Sequence, residues 1–143
     1  LAALARPDRV KGLVLVAPAP DFTEDLLWTG FSRDIQQQIL KEGLYFEPSQ
    51  YGEPYPISLN LIEEGRKHLL LAKPIPLHIP VRILQGMQDE EVPHQHAMRL
   101  FNAIEGKATT LTLIKSGDHR LSSAADLANL VQEIEALLTQ IEN

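Results

Sequence analysis

No cysteine occurs among the 143 residues of this sequence, which excludes disulfides, thiolate metal sites and cysteine nucleophiles. Positive charge is also scarce. The formal net charge is −6, and because no basic cluster could neutralise phosphates, we expect no binding to nucleic acid or to an anionic membrane surface. No apolar run approaches the roughly 18 residues that a transmembrane helix needs. The lack of cysteine fits a reducing compartment. We expect a cytoplasmic protein, or a mitochondrial one if its source is eukaryotic.

A length of 143 residues indicates one domain or part of one, and the content of apolar residues, 44%, is high enough to bury a substantial core. Its first residues, Leu1 to Arg6, form helix-favouring sequence without a Met, a signal peptide or an N-cap, and Pro7 stops it. They resemble the last turns of a longer helix. We therefore expect a fragment of a longer polypeptide, with no targeting segment in the sequence.

Apolar runs alternate with helical patterns along most of the chain. The pattern predicts strands at Val10–Ala17, within Ile79–Gly86 and at Thr109–Ile114, and amphipathic helices at His94–Ile104 and from Ala124 to about Ile141, capped by Ser122 or Ser123. Alternation of this kind implies parallel strands joined by right-handed crossovers. The predicted fold class is therefore α/β.

Residues 21–76 differ in character and read as an insertion between two core strands. Ser32 is a predicted N-cap for a helix at Arg33–Glu42 that Gly43 ends, and Ser58 opens a second helix to about Ala72. The segment Leu44–Pro56 shows no regular period, and we expect it to be a compact loop. Two helices and a loop placed between core strands suggest a cap over the sheet.

Two chemically versatile residues follow consecutive predicted strands. Asp89 comes just after the strand that Gly86 interrupts, and His119 comes just after Thr109–Ile114. Because the carboxyl ends of parallel strands share one crevice, the carboxylate and the imidazole are expected to meet. An imidazole oriented by a carboxylate can take the proton of a nucleophile. The alternative is that Asp89 caps the turn before Pro93 and His119 is a surface loop residue.

Other acids and imidazoles have simpler interpretations. Glu90 and Glu91 are expected to be solvated, and the side chain of Asp118 should diverge from that of His119. The pair His94 and His96 has no third ligand at a suitable spacing, so we expect a surface or helix N-terminal position and no metal site. The remaining histidines, His68 and His78, are expected in the cap and a linker.

Aromatic residues follow the first strand. Trp28 is the candidate for substrate binding, because together with Phe22 and Phe31 it could line a substrate pocket under the cap. Packing between the cap and the sheet explains the same residues equally well.

The runs Gly86–Pro93 (GMQDEEVP) and Ser116–His119 (SGDH) resemble the acid and histidine motifs of α/β-hydrolases, whose triad order is nucleophile, acid, histidine. Within that superfamily the sequence is similar to the α/β-hydrolase domain-containing protein 10 group, which are serine hydrolases of S-palmitoyl thioesters and acyl-glucuronide esters. The resemblance covers essentially the whole chain, including Ala5–Val10, Leu40–Gly43 and Lys73–Pro76. It implies the C-terminal part of an α/β-hydrolase fold across residues 1–143, a small ester or S-acylated protein as substrate, and no cofactor.

The Gly-x-Ser-x-Gly turn that carries the nucleophile of this family is missing. Ser116 is the serine nearest to His119 in the sequence but has no such turn. We expect the other serines to be caps and loop residues, namely Ser32, Ser49, Ser58, Ser122 and Ser123. The resemblance then places the nucleophile in an upstream half of the same fold, so the chain alone should be inactive. Loss of that half would leave Val10–Ala17 as an open strand edge.

Two further functions stay open at this stage. The chain could be a non-catalytic interaction domain with a degenerate hydrolase fold, or it could serve another reaction of the same scaffold, such as that of a peptidase, a dehalogenase or a lactonase. The residue at the nucleophile position distinguishes these possibilities.

Overall fold

The computed structural model describes residues 1–48 and 52–142, which form two compact units. The first unit comprises residues 1–20 and 70–142 of this described part, and the second comprises residues 21–48 and 52–69. The insertion expected over 21–76 thus corresponds to a unit that ends at Leu69. Its role as a cap stays a prediction.

The first unit is built on a parallel sheet. Its elements are α1 (Ala2–Ala5), β1 (Leu13–Val16), β4 (Val81–Gly86), α4 (His94–Ala103), β5 (Thr109–Ile114) and α5 (Ala124–Glu142). The order of the strands in the sheet is β1–β4–β5. The register aligns Leu13 with Val81 and Val81 with Thr109. The predicted parallel strands and both major helices are confirmed, although β1 is shorter than Val10–Ala17. Among the described residues β1 lies at the edge of the sheet, as expected.

One face of the sheet carries the main core. Val81 and Ile83 of β4 pack against Ala97 and Leu100 of α4, and Ala3 joins the same cluster. Leu70 and Leu71 also pack against this cluster.

The other face of the sheet bears α5, and polar groups form part of the contact between them. Arg82 of β4 forms an ion pair with Glu133 at 3.5 Å and hydrogen-bonds to Gln140, and Thr112 donates to Glu133 at 3.1 Å. Ser123 caps α5, because its Oγ accepts from the Asp126 amide while Asp126 accepts from Ser123. Much of the apolar stripe of α5 nevertheless remains exposed, namely Leu127, Val131, Ile134, Leu138 and Ile141.

The second unit contains a π-helical turn (Thr23–Trp28), α2 (Arg33–Glu42), β2 (Leu44–Glu47), β3 (Tyr55–Ser58) and α3 (Leu59–Arg66). Ser32 and Ser58 cap α2 and α3, and Gly43 ends α2 in the left-handed region, as predicted. The helix predicted to reach about Ala72 ends at Arg66. The core of this unit is formed by Ile39, Ile57 and Ile62.

The prediction of a loop over Leu44–Pro56 was wrong at both ends of the segment, and residues 49–51 of it lie outside the described residues. β2 and β3 form an antiparallel ribbon in which Tyr45 faces Ile57 and Phe46 faces Pro56. Proline is tolerated there because each strand of a two-stranded ribbon has a free edge. The prolines of this segment made the strand pattern difficult to recognise in the sequence.

Candidate active site

The end of β4 and the loop after β5 are joined by backbone contacts. The amide of Met87 donates to the Ile114 carbonyl, and the amide of Gln88 donates to the Gly117 carbonyl, both at 2.9 Å. Gly86 and Gly117 approach so closely that a Cβ atom at Gly86 would overlap the carbonyl oxygens of Gly117 and Asp118. Both segments therefore need glycine at this crossing, and together they fix the two turns that carry Asp89 and His119.

Asp89 is a buried carboxylate with both oxygens occupied. Its Oδ1 accepts hydrogen bonds from the amides of Glu91 at 3.0 Å and Val92 at 2.8 Å. Its Oδ2 lies 3.0 Å from His119 Nδ1 and accepts from Gln85 Nε2 at 3.0 Å. The turn-capping interpretation and the imidazole-orienting interpretation are thus compatible, because each uses a different oxygen.

The ionisation of Asp89 follows from these contacts. Burial by itself raises the pKa of the Asp89 carboxyl, but hydrogen bonds from Val92, His119 and Gln85 and the nearby imidazole outweigh it, so the pKa lies below its usual value of 3.8. The group is an anion at neutral pH. An anion at Nδ1 is what an imidazole needs to hold one orientation and to accept a proton at Nε2.

The imidazole of His119 is held in one orientation. Because the Asp89 carboxylate can only accept, Nδ1 carries the hydrogen of the 3.0 Å bond. The side chain is 39% exposed, and Nε2 lies 3.5 Å from the Glu91 carboxylate. Asp118 is directed elsewhere, as expected, and its Oδ1 accepts from the amides of Arg120 and Leu121 at the start of the next turn.

Gln85 is a site residue that the sequence analysis missed. It is fully buried, and its Nε2 lies within hydrogen-bond distance of the Gly86 carbonyl, the Val92 carbonyl and Asp89 Oδ2. Its Oε1 has no hydrogen-bond partner within the described part of the chain. The signal was present as a lone amide in the otherwise apolar end of β4, because a buried amide needs polar partners.

The remaining histidines are placed apart from this pair. His96 is buried, and its Nε2 donates to the Pro20 carbonyl at 2.6 Å, so the expected surface position is wrong for this residue although it does lie in the first turn of α4. The sequence could not show that the carbonyl at Pro20 would reach α4. His68 and His78 are exposed. Residues 1–48 and 52–142 contain no group of ligands that could hold a metal ion.

Trp28 lies in the second unit and packs against its core. The guanidinium of Arg66 stands 4.9 Å from the centre of the Trp28 ring, and the Trp28 carbonyl accepts from Gln36. Phe31 packs against the same core, while Phe22 is exposed. These contacts explain Trp28 as a packing residue, and its role in substrate binding stays a prediction.

The described serines agree with the predicted caps, since Ser32, Ser58 and Ser123 each accept from an amide at the start of a helix. Ser116 and Ser122 are exposed loop residues. Ser49, which was expected to be a loop residue, lies outside the described residues.

A parallel sheet with flanking helices that delivers an acid and a histidine from consecutive strand ends is the arrangement of the C-terminal part of an α/β-hydrolase fold, and the chain has that fold. It is similar along nearly its whole length to the palmitoyl-protein thioesterase ABHD10. The human mitochondrial protein of that name is 33% identical in an alignment of 145 residues, gaps included, that covers 98% of this chain and 46% of that protein. The chain thus spans about half the length of the curated relatives it matches.

Solved structures agree with this assignment. The α/β-hydrolase domain-containing protein 10 from mouse superposes with a TM-score of 0.87 at 34% identity, over 98% of this chain and 56% of that one. The crystal structure of a protein from Agrobacterium vitis S4 superposes with a TM-score of 0.85 at 39% identity, over 90% of this chain and 50% of that protein. No family model matches the sequence. No helix of the described residues is long and apolar enough to cross a membrane.

Proposed function

We propose that this chain supplies the acid and the general base of a serine hydrolase that cleaves carboxylic esters or thioesters. The observation that carries the proposal is the 3.0 Å contact between Asp89 Oδ2 and His119 Nδ1. It leaves Nε2 as the ring nitrogen that can exchange a proton with the reacting groups. The names of the relatives support a palmitoyl thioester as one substrate.

The reaction would run in two halves. As the serine oxygen attacks the carbonyl carbon, its proton moves to His119 Nε2, and the same proton passes to the leaving oxygen or sulfur when the bond to carbon breaks. Water then attacks the acyl-enzyme, gives its proton to Nε2 and releases the acid, while the proton returns to the serine oxygen. Asp89 stays ionised throughout and stabilises the imidazolium.

We infer that the nucleophile belongs to a part of the fold outside these 143 residues. The sequence has no Gly-x-Ser-x-Gly turn, and the relatives are about twice as long. The open edge of β1 and the exposed apolar residues of α5 support the same inference, because unpaired strand edges and large apolar stripes are usually covered. The names of the curated relatives include the word mitochondrial, and we propose that location if the source is eukaryotic.

The test uses the full-length protein and hydrolysis of a p-nitrophenyl ester and an S-acyl peptide. We expect Asp89→Asn to lower kcat by about 10⁴-fold and His119→Ala by about 10⁴- to 10⁶-fold, the losses found when these triad members are replaced. Asp118→Asn is the matched control, since an amide oxygen can still accept from Arg120 and Leu121, and it should keep most of the rate. Rates unchanged by Asp89→Asn and His119→Ala would contradict the proposal. Absence of both ester hydrolysis and fluorophosphonate labelling would favour a non-catalytic domain instead.

A further inference from the structure

A second carboxylate lies beside the reactive nitrogen of the imidazole. Glu91 Oε2 is 3.5 Å from His119 Nε2, on the side of the ring opposite to the Asp89 contact. The backbone of Glu91 is fixed, because its amide donates to Asp89 Oδ1 at 3.0 Å. Its side chain is 58% exposed and therefore borders the space from which a substrate must approach.

The position of Glu91 matters because of where the leaving group must be. In the reaction proposed above, the leaving oxygen or sulfur takes its proton from His119 Nε2, so it must come within hydrogen-bond distance of that atom. Groups attached to it then pass within a few ångströms of the Glu91 carboxylate. The acyl chain extends from the other side of the scissile bond. Glu91 therefore senses the charge of the leaving group more than that of the acyl chain.

The charges at the site reinforce this effect. When Nε2 holds the proton, the imidazolium and the Asp89 anion balance one another, while the carboxylate of Glu91 adds a further negative charge. A cation on the leaving group is attracted to that charge, and an anion is repelled. The interaction is partly screened, because Glu91 is exposed to solvent.

We propose that Glu91 makes the site selective for leaving groups that carry positive charge near the scissile bond. This inference depends on the proposed hydrolase function and narrows its substrate class. The favoured substrate is an S-acylated peptide or protein whose acylated cysteine is flanked by lysine or arginine.

The experiment compares three S-acyl peptides that share one acyl chain and differ only in the residues flanking the cysteine, which are lysine, glutamine or glutamate. The ratio of kcat/KM for the lysine peptide to that for the glutamate peptide is measured in the full-length protein. We expect this ratio to fall by about three- to tenfold in Glu91→Gln, as a single exposed charge a few ångströms away predicts. Glu91→Lys should move it further in the same direction.

Glu90→Gln is the matched control, because it removes the same formal charge from the neighbouring exposed position. It should change the ratio much less than Glu91→Gln does. Added salt should reduce the ratio of the unaltered protein and leave that of Glu91→Gln nearly constant.

The outcomes separate the two proposals. An unchanged ratio in Glu91→Gln, or an equal acceleration of all three peptides, overturns the charge-selection inference and leaves the hydrolase function intact. Equal acceleration would mean that Glu91 only obstructs Nε2. Failure of the unaltered protein to cleave any of the peptides or a p-nitrophenyl ester overturns the hydrolase function itself.

Discussion

Gly86, the last residue of β4, lies directly against Gly117 in the loop after β5, with space for no side chain between them. This crossing of two backbones sets the separation of Asp89 and His119, which lie three and two residues beyond it. The hydrogen bond from the Gln88 amide to the Gly117 carbonyl fixes it further. The geometry of the candidate site therefore depends first on these backbone contacts and only then on the side chains.

Gly86→Ala should both destabilise the fold and impair the site. A Cβ atom at this position would overlap two carbonyl oxygens, which the backbone can relieve only by moving the two turns apart. We expect a loss of about 2–4 kcal/mol in the free energy of unfolding, in the range of severe overpacking. Urea unfolding measures the stability, and the ester assay measures the site in the full-length protein.

Gly106→Ala provides the control for Gly86→Ala. A Cβ atom there would overlap the Leu77 carbonyl oxygen, so the steric conflict is of the same kind, but Gly106 precedes β5 and lies at the opposite end of the sheet from Asp89. We expect a similar loss of stability with little effect on the rate of the remaining folded protein. Equal rates in the two variants would show that the close approach of Gly86 to Gly117 does not control the separation of Asp89 and His119.

The meeting of Asp89 and His119 could be predicted because it depends on topology alone. Apolar runs identified β4 and β5, parallel order followed from the alternating pattern, and parallel strands deliver their following residues to one edge. The 3.0 Å hydrogen bond between His119 Nδ1 and Asp89 Oδ2 is the consequence. Local signals sufficed for α2 as well, because Ser32 and Gly43 mark both of its ends.

The parts that sequence reasoning missed depend on contacts between residues distant along the chain. α3 ends at Arg66, and Leu70 and Leu71 pack against the core of the first unit, which the local helical pattern cannot show. β2 and β3 are held by pairing with each other, although proline lowers the strand propensity of Tyr55–Ser58. The role of Gln85 depends on the turn at Asp89–Val92 folding back over it.

Acid should destabilise the protein through Asp89. Its pKa in the folded state lies below the usual value of 3.8, so its ionised form stabilises the fold above that value, and this contribution is lost as the pH falls through the folded-state pKa. As the pH falls below about 4, the free energy of unfolding should therefore decrease more steeply in the unaltered chain than in Asp89→Asn. Urea unfolding at a series of pH values measures both slopes.

His119→Ala refines the acid experiment. It removes one of the donors to Asp89 but leaves the Val92 amide and Gln85 in place. The decrease in the free energy of unfolding with falling pH should therefore become less steep but not disappear. If the free energy of unfolding depends on pH equally in Asp89→Asn and in the unaltered chain, other carboxyl groups cause the acid sensitivity.

Gln85 should be more important for stability than its position outside the proposed proton path suggests. Replacing it with leucine removes the donor that Asp89 Oδ2 and the carbonyls of Gly86 and Val92 share, and those oxygens are buried in a place where little water can replace it. Leaving such acceptors unpaired typically costs about 1–3 kcal/mol, and the loss of a donor should also raise the pKa of Asp89.

Gln88→Leu is the matched control for Gln85→Leu, because it makes the same replacement three residues away at an exposed position. It should alter the free energy of unfolding by less than about 0.5 kcal/mol. The difference between the two variants then isolates what the buried amide contributes. If Gln85→Leu were as stable as the unaltered chain, the apolar gain of leucine would equal the loss of the hydrogen bonds, and the carboxylate of Asp89 would not need a donor from β4.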